Sequence, residues 1–130
     1  MEQEARARLP EEACGLMLGR RLGDVFHIHE IAFSANTAGG DRRSAFEIDP
    51  SLYIDLHKVA RAGGADVIGV WHSHPSGRAE PSETDKACSV EAGWIWLITA
   101  AVADKCETRA FCTDDKNPQL FQGVEMATVS

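Results

Sequence analysis

Two short, unbroken apolar runs, Val67–Trp71 (VIGVW) and Trp94–Thr99 (WIWLIT), constrain the fold more than any other feature of this chain. Apolar runs of this length without alternation read as strands covered on both faces. The elements around them come in mixed order: hairpin, helix, strand, helix, strands. That order predicts an α/β or α+β domain with one mixed, curved sheet and helices packed on it. At 130 residues and 44% hydrophobic content the chain buries a core of its own but has no room for two, so one domain over 1–130 is expected.

The remaining elements follow from local signals. Glu2–Leu9 is charged and Ala-rich and reads as the end of a short helix, stopped by Pro10. Ala13–Gly19 (ACGLMLG) suits a buried strand, and Arg20–Asp24 a turn. In Val25–Phe33, Phe26 and Ile28 alternate with His27 and His29, which predicts the second strand of a hairpin. Ser34–Ser44 is a polar loop and Ala45–Ile48 a short strand. Asp49 and Pro50 read as an N-cap and first helical residue, with Leu52, Leu56 and Val59 on one helix face and Gly63-Gly64 at its end. Ser73–Pro81 is a loop. Ser82-Glu83-Thr84-Asp85 is a variant capping box opening a helix to about Ala92, with Gly93 just past it. Glu107–Thr113 and part of Leu120–Ala127 complete the sheet.

Charge and cysteines remove several function classes. Lys and Arg number 13 against 20 for Asp and Glu, a net charge of −7, which argues against non-specific nucleic-acid binding and a polybasic membrane contact. No apolar run approaches the ~20 residues of a membrane helix, and no leader is read at the start. The four cysteines, Cys14, Cys88, Cys106 and Cys112, form no C-x-x-C pair. They are expected to be reduced thiols in the cytoplasm, and a finger-type structural zinc site is not expected.

The chemistry lies in Trp71-His72-Ser73-His74-Pro75 and, six residues on, Ser82-Glu83-Thr84-Asp85. Residues i and i+2 of an extended chain point to the same side, so His72 and His74 can present two nitrogens to one cation. Asp85, in the first turn of the next helix, is favoured there by the helix dipole. Two histidines and one carboxylate leave the fourth position of a tetrahedral zinc open, the mark of a catalytic site. A hydrolase of this kind also needs a base. Glu11 and Glu12 stand just before the apolar strand, and spacing does not choose between them.

The run His72-Ser73-His74-Pro75…Ser82-x-x-Asp85 resembles the signature of the JAMM (MPN+) metallopeptidase family. Pro10–Gly19 resembles that family's first strand with its upstream glutamate, and Phe46-x-x-Asp49-Pro50 the element between. The resemblance spans roughly Leu9 to Thr99. It implies a cytidine-deaminase-like JAMM/MPN architecture and Zn2+ held by His72, His74 and Asp85. It further implies Glu12 as general acid/base and Ser82 as the serine that helps hold the substrate carbonyl, with Ser73 and Pro75 shaping the turn. The implied substrate is a ubiquitin-like or sulfur-carrier protein with a Gly-Gly tail, cut by hydrolysis of a peptide or isopeptide bond. Nucleic acid and membrane are not among the implied partners. Little chain precedes Pro10, so the first helix is expected to be truncated. There is no room for the large insertions that grip linked ubiquitins, so linkage selectivity is not implied.

Competing readings are weaker. His27-x-His29 is a second i, i+2 pair, but no Ser-x-x-Asp follows it, and a solvated strand face explains it. His57 reads as a surface residue. Cys14 lies inside an apolar strand and reads as a buried thiol rather than a nucleophile. Trp71, Trp94 and Trp96 read as core. A zinc deaminase would need a P-C-x-x-C pair. A RadC-like DNA-repair role conflicts with the acidic charge. The alternative that stays open is a non-catalytic MPN-type binding or scaffold module.

Overall fold

The computed structural model describes residues 1–75, 77–102 and 105–127. Ser76, in the expected Ser73–Pro81 loop, and residues 103, 104 and 128–130 of the expected domain lie outside the described residues. The elements are α1 (Glu2–Arg8), β1 (Cys14–Leu22), β2 (Val25–Ser34), α2 (Pro50–Arg61), β3 (Asp66–His74), α3 (Glu83–Cys88), β4 (Ile95–Val102), β5 (Lys105–Thr113) and β6 (Phe121–Val124). The six strands form one sheet in the order β2-β1-β3-β4-β5-β6. β3 and β4 pair in parallel, and every other neighbouring pair is antiparallel. This is the mixed sheet with flanking helices that the element order predicts. The two unbroken apolar runs are its central pair, β3 and β4.

A strand turns successive side chains to opposite faces. In β4, Ile95 and Leu97 join Ala5 of α1, Met17 and Trp71 in one core layer. Trp96 and Ile98 join Val70 and Phe111 in a second, where Phe46, Ile48, Trp94 and Phe121 pack against them. His72 follows Val70 by two residues and shares this second layer. The hairpin β1–β2 closes through Gly23, whose φ of 63° is a left-handed conformation that glycine adopts without a Cβ penalty.

Three elements differ from their sequence patterns. In α2, Asp49 caps as expected, accepting from the Ser51 amide at 3.0 Å, with Pro50 next. The inward stripe, however, is rotated toward Tyr53, His57 and Ala60, beside half-buried Leu52 and Leu56. Val59 falls at its margin, 54% exposed. His57 is correspondingly half-buried, stacked on Tyr53. α3 stops at Cys88 instead of running to Ala92, because Ser89 leaves the helix in an extended conformation and its buried hydroxyl donates to the Pro118 carbonyl. Gly93 serves the turn into β4, its amide bonded to the Asp114 carbonyl. Ala45–Ile48 is not a full strand. It is tied to the loop by the antiparallel bridge Asn36–Ile48 and by the Thr37 amide on the Glu47 carbonyl at 3.0 Å.

The central pair leaves no space at Gly69, which faces Ile95 across the parallel ladder. A Cβ there would run into the Ile95 carbonyl oxygen and side chain. Gly69→Ala is therefore expected to destabilise the protein by about 1–3 kcal/mol, the usual range for overpacking, measured as a lower urea midpoint. Gly39→Ala, with open space around the added Cβ, is the matched control and should leave the midpoint nearly unchanged.

Candidate metal and catalytic centre

Both histidines stand at the carboxyl end of β3, in the strand itself rather than in the loop beyond it. Their side chains share the face that carries Val70. His72 is fully buried and His74 nearly so. Their Nε2 atoms approach to 2.8 Å, and Asp85 Oδ2 lies 3.1 Å from each. The capping box that the sequence predicts delivers Asp85. Ser82 Oγ accepts the Asp85 amide at 3.0 Å, and the Ser82 amide donates to Asp85 Oδ2 at 2.9 Å. A helix of six residues thus places its third residue against the end of a central strand.

Outer contacts orient these rings. His74 Nδ1 lies 2.7 Å from the Arg78 carbonyl oxygen, so this nitrogen donates outward and Nε2 is the one that faces the cluster. Phe46 stacks on His72, ring centroids 4.4 Å apart at 20°, and Trp96 meets His72 edge to face at 5.5 Å. The sequence offers no signal for the Arg78 carbonyl.

Glu12 completes the group. It is buried where Glu11 is only half so. One ligand atom from each of Glu12, His72 and His74 lies within 4.8 Å of the others. Glu12 Oε1 is buried and has no hydrogen-bond partner among the described residues. Burial pushes its carboxyl up to about 8, with His74 opposing and Asp85 adding. Asp85 behaves oppositely. Burial again disfavours its charge, but hydrogen bonds from both histidines and the Ser82 amide outweigh it and hold the carboxyl well below the usual range. His72 is pushed down by burial.

The donor set fits a cation. Two imidazole nitrogens and a carboxylate oxygen converge within hydrogen-bond distance. Ligands at about 2.0–2.1 Å from a tetrahedral zinc stand roughly 3.3 Å apart, close to the observed edges. His72, His74 and Asp85 make the tight trio, while Glu12 stands beside it with an unpartnered oxygen. Ser82 is half-buried, its oxygen used by the cap. Ser73 faces away from the cluster, its hydroxyl accepting the Ala13 amide at 2.8 Å. A cleft of about 420 Å³ opens beside Asp85, walled by Phe46, Ile48 and Tyr53 and floored by Val70 and Trp96.

The rival groups are elsewhere. His27 and His29 are exposed on β2. Cys14 is fully buried, and burial pushes its thiol up to about 12 against the hydrogen bond to Ser34. None of the four cysteines is paired. Among the described residues no helix is long and apolar enough to cross a membrane.

Known proteins are similar to this chain in sequence and in shape. A family model described as prokaryotic homologs of the JAB domain matches residues 1–113. A desampylase of Haloferax volcanii is 29% identical over 116 residues, covering 89% of this chain and 80% of that protein. A protein from Desulfitobacterium hafniense, solved in solution, superposes with a TM-score of 0.78 at 30% identity, over 96% of this chain and 83% of that one. The crystal structure of a JAB1/MPN domain protein from Archaeoglobus fulgidus shares the fold, with a TM-score of 0.59 at 23% identity over 98% and 89% of the two chains.

The burial of Cys14 predicts its reactivity. Iodoacetamide at pH 8 should label exposed Cys88 in the native protein and leave Cys14 unmodified until denaturant is added, as read by peptide mass mapping. Labelling of native Cys14 as fast as Cys88 would return it to the list of nucleophiles.

Proposed function

The chain belongs to the family of prokaryotic homologs of the JAB domain, and from that premise we propose that it is a zinc-dependent peptidase or isopeptidase. Its substrate is a ubiquitin-like or sulfur-carrier protein, cut just after the C-terminal glycines. The observation that carries the reading is the convergence of His72 Nε2, His74 Nε2 and Asp85 Oδ2 at 2.8–3.1 Å. These three residues hold Zn2+, which when bound polarises a scissile carbonyl and acidifies a water. Similarity to the Haloferax volcanii desampylase supports a hydrolase over a scaffold. Unpaired cysteines suit the cytoplasm.

The chain's own residues divide the work. Glu12 takes a proton from the attacking water and passes it to the departing amine. Its unpartnered Oε1 is a cost that a scaffold has no reason to bear. Ser82 accepts the Asp85 amide through its oxygen, which leaves the hydroxyl hydrogen to donate to the carbonyl oxygen of the substrate. The substrate tail lies extended along Phe46–Ile48. Thr37 bonds Glu47 from one side, and strand alternation turns the main-chain groups of Phe46 and Ile48 to the other. An extended tail can add there as a further strand, with the cleft beside it. Phe46 stacked on His72 narrows the approach, which favours glycine next to the scissile carbonyl.

Three measurements test this. His72→Ala and His74→Ala are expected to lose zinc in elemental analysis, while Glu12→Gln keeps one equivalent. Loss of zinc from Glu12→Gln would make Glu12 a ligand instead of the base. With zinc retained, Glu12→Gln should lower turnover by about 10²–10⁴-fold, and Glu11→Gln should change it little. A Gly-Gly-tailed fusion should be cleaved, and the same fusion with a bulky last residue should resist. Equal cleavage of both and of an unrelated unfolded peptide would leave a general metallopeptidase. Cleavage of none, with zinc bound, would leave a binding module.

A further inference from the structure

We infer that Asn36 is the residue that positions the general base, holding Glu12 in register with both the histidine pair and the strand edge that receives the tail. This rests on the function proposed above. Among the described residues no hydrogen bond aims the Glu12 carboxyl, whose Oε1 is buried without a partner. Its direction is set by its main chain. That main chain is pinned at every step: the Glu12 amide donates to the Arg42 carbonyl at 2.7 Å, and the Glu12 carbonyl accepts from Asn36 Nδ2 at 3.0 Å. At the next residue, the Ala13 amide donates to Ser73 Oγ at 2.8 Å and its carbonyl accepts the Ser73 amide at 3.0 Å. Ser73 lies between the two histidines and ties the segment to them. Asn36 ties it to Ala45 and Glu47.

Asn36 uses its full hydrogen-bonding capacity. Nδ2 donates to the Glu12 and Ala45 carbonyls at 3.0 and 2.9 Å, and Oδ1 accepts the Ala38 and Glu47 amides, both at 3.1 Å. An amide has two donor and two acceptor sites, and each of the four goes to a different residue. The two donors and two acceptors also fix which way the amide faces. One half-buried side chain therefore spans the gap between the base and the segment 45–47, whose Phe46 stacks on His72. The base and the tail edge move together or not at all. Small displacements matter because proton transfer requires hydrogen-bond reach.

Asn36→Asp separates the two halves. It keeps both acceptors and removes both donors, facing the Glu12 and Ala45 carbonyls with oxygen instead. The zinc-loaded variant is expected to keep one metal equivalent and lower the single-turnover rate on the Gly-Gly fusion at least tenfold, and to raise the enzyme concentration giving half-maximal rate. In a Glu12→Gln background the same substitution should change the maximal rate less than twofold while the half-saturation shift persists, because residues acting through one group do not add. Asn36→Ala, which introduces no charge, should repeat the pattern. An equal rate loss in both backgrounds, a rate within twofold of wild type, or two variants that are unfolded and metal-free would each overturn the inference. An inactive wild-type protein would overturn the proposed function and this inference with it.

Discussion

The register of β1 on β3 is the constraint on which the rest of the site depends. Cys14 pairs with His72, so the residues just before β1 overhang the end of β3 where the histidines stand. The Ser73 side chain accepts the Ala13 amide and carries the ladder one step further than the two strands alone. Side chains alternate with a period of two, so a slip of one residue would exchange the faces of a whole strand. The Glu12 carboxyl would then leave the cluster together with half of the core. Packing of Met17 against Trp71 and Leu97 in one layer penalises that slip far from the site itself.

Burial acts on two carboxyls beside the same pair of histidines with opposite results. Asp85 receives hydrogen bonds from two rings and one amide, and these outweigh the loss of water, so its charge is kept. Glu12 receives none at Oε1, and burial decides its state. A pair of acids driven apart in this way is how one pocket can supply both a fixed anion and a group that exchanges protons.

Much of this architecture is legible in residue patterns. The unbroken runs become the central strands, Asp49-Pro50 opens a helix, and the i, i+2 spacing puts His72 and His74 on one side. Ser82 and Asp85 show their mutual capping three residues apart. What escapes the sequence is tertiary. The end of α3 is decided by Ser89 reaching Pro118, and no local signal announces a partner 29 residues away. Glu11 and Glu12 are indistinguishable until the ladder turns one inward. Asn36 lies in a polar loop with no periodicity, where an amide that bonds four residues looks like one that bonds water. Val59 misleads because a stripe of apolar residues marks a helix face but not where its centre lies.

The brevity of α3 has a consequence of its own. A helix of six residues has no independent stability in water, since helix nucleation is unfavourable and isolated helices below about 12–15 residues are marginal. Besides its contacts to the two histidines, Asp85 is therefore held by what grips the two ends of its helix, the cap at Ser82 and the anchor of Ser89 on Pro118. That second anchor belongs to the connection between β5 and β6, on the far side of the sheet order from β1. A change in the length of this remote connection would alter the set of the carboxylate against the histidines while leaving every residue of the centre in place. Relatives that vary there would carry the same ligands with different grip.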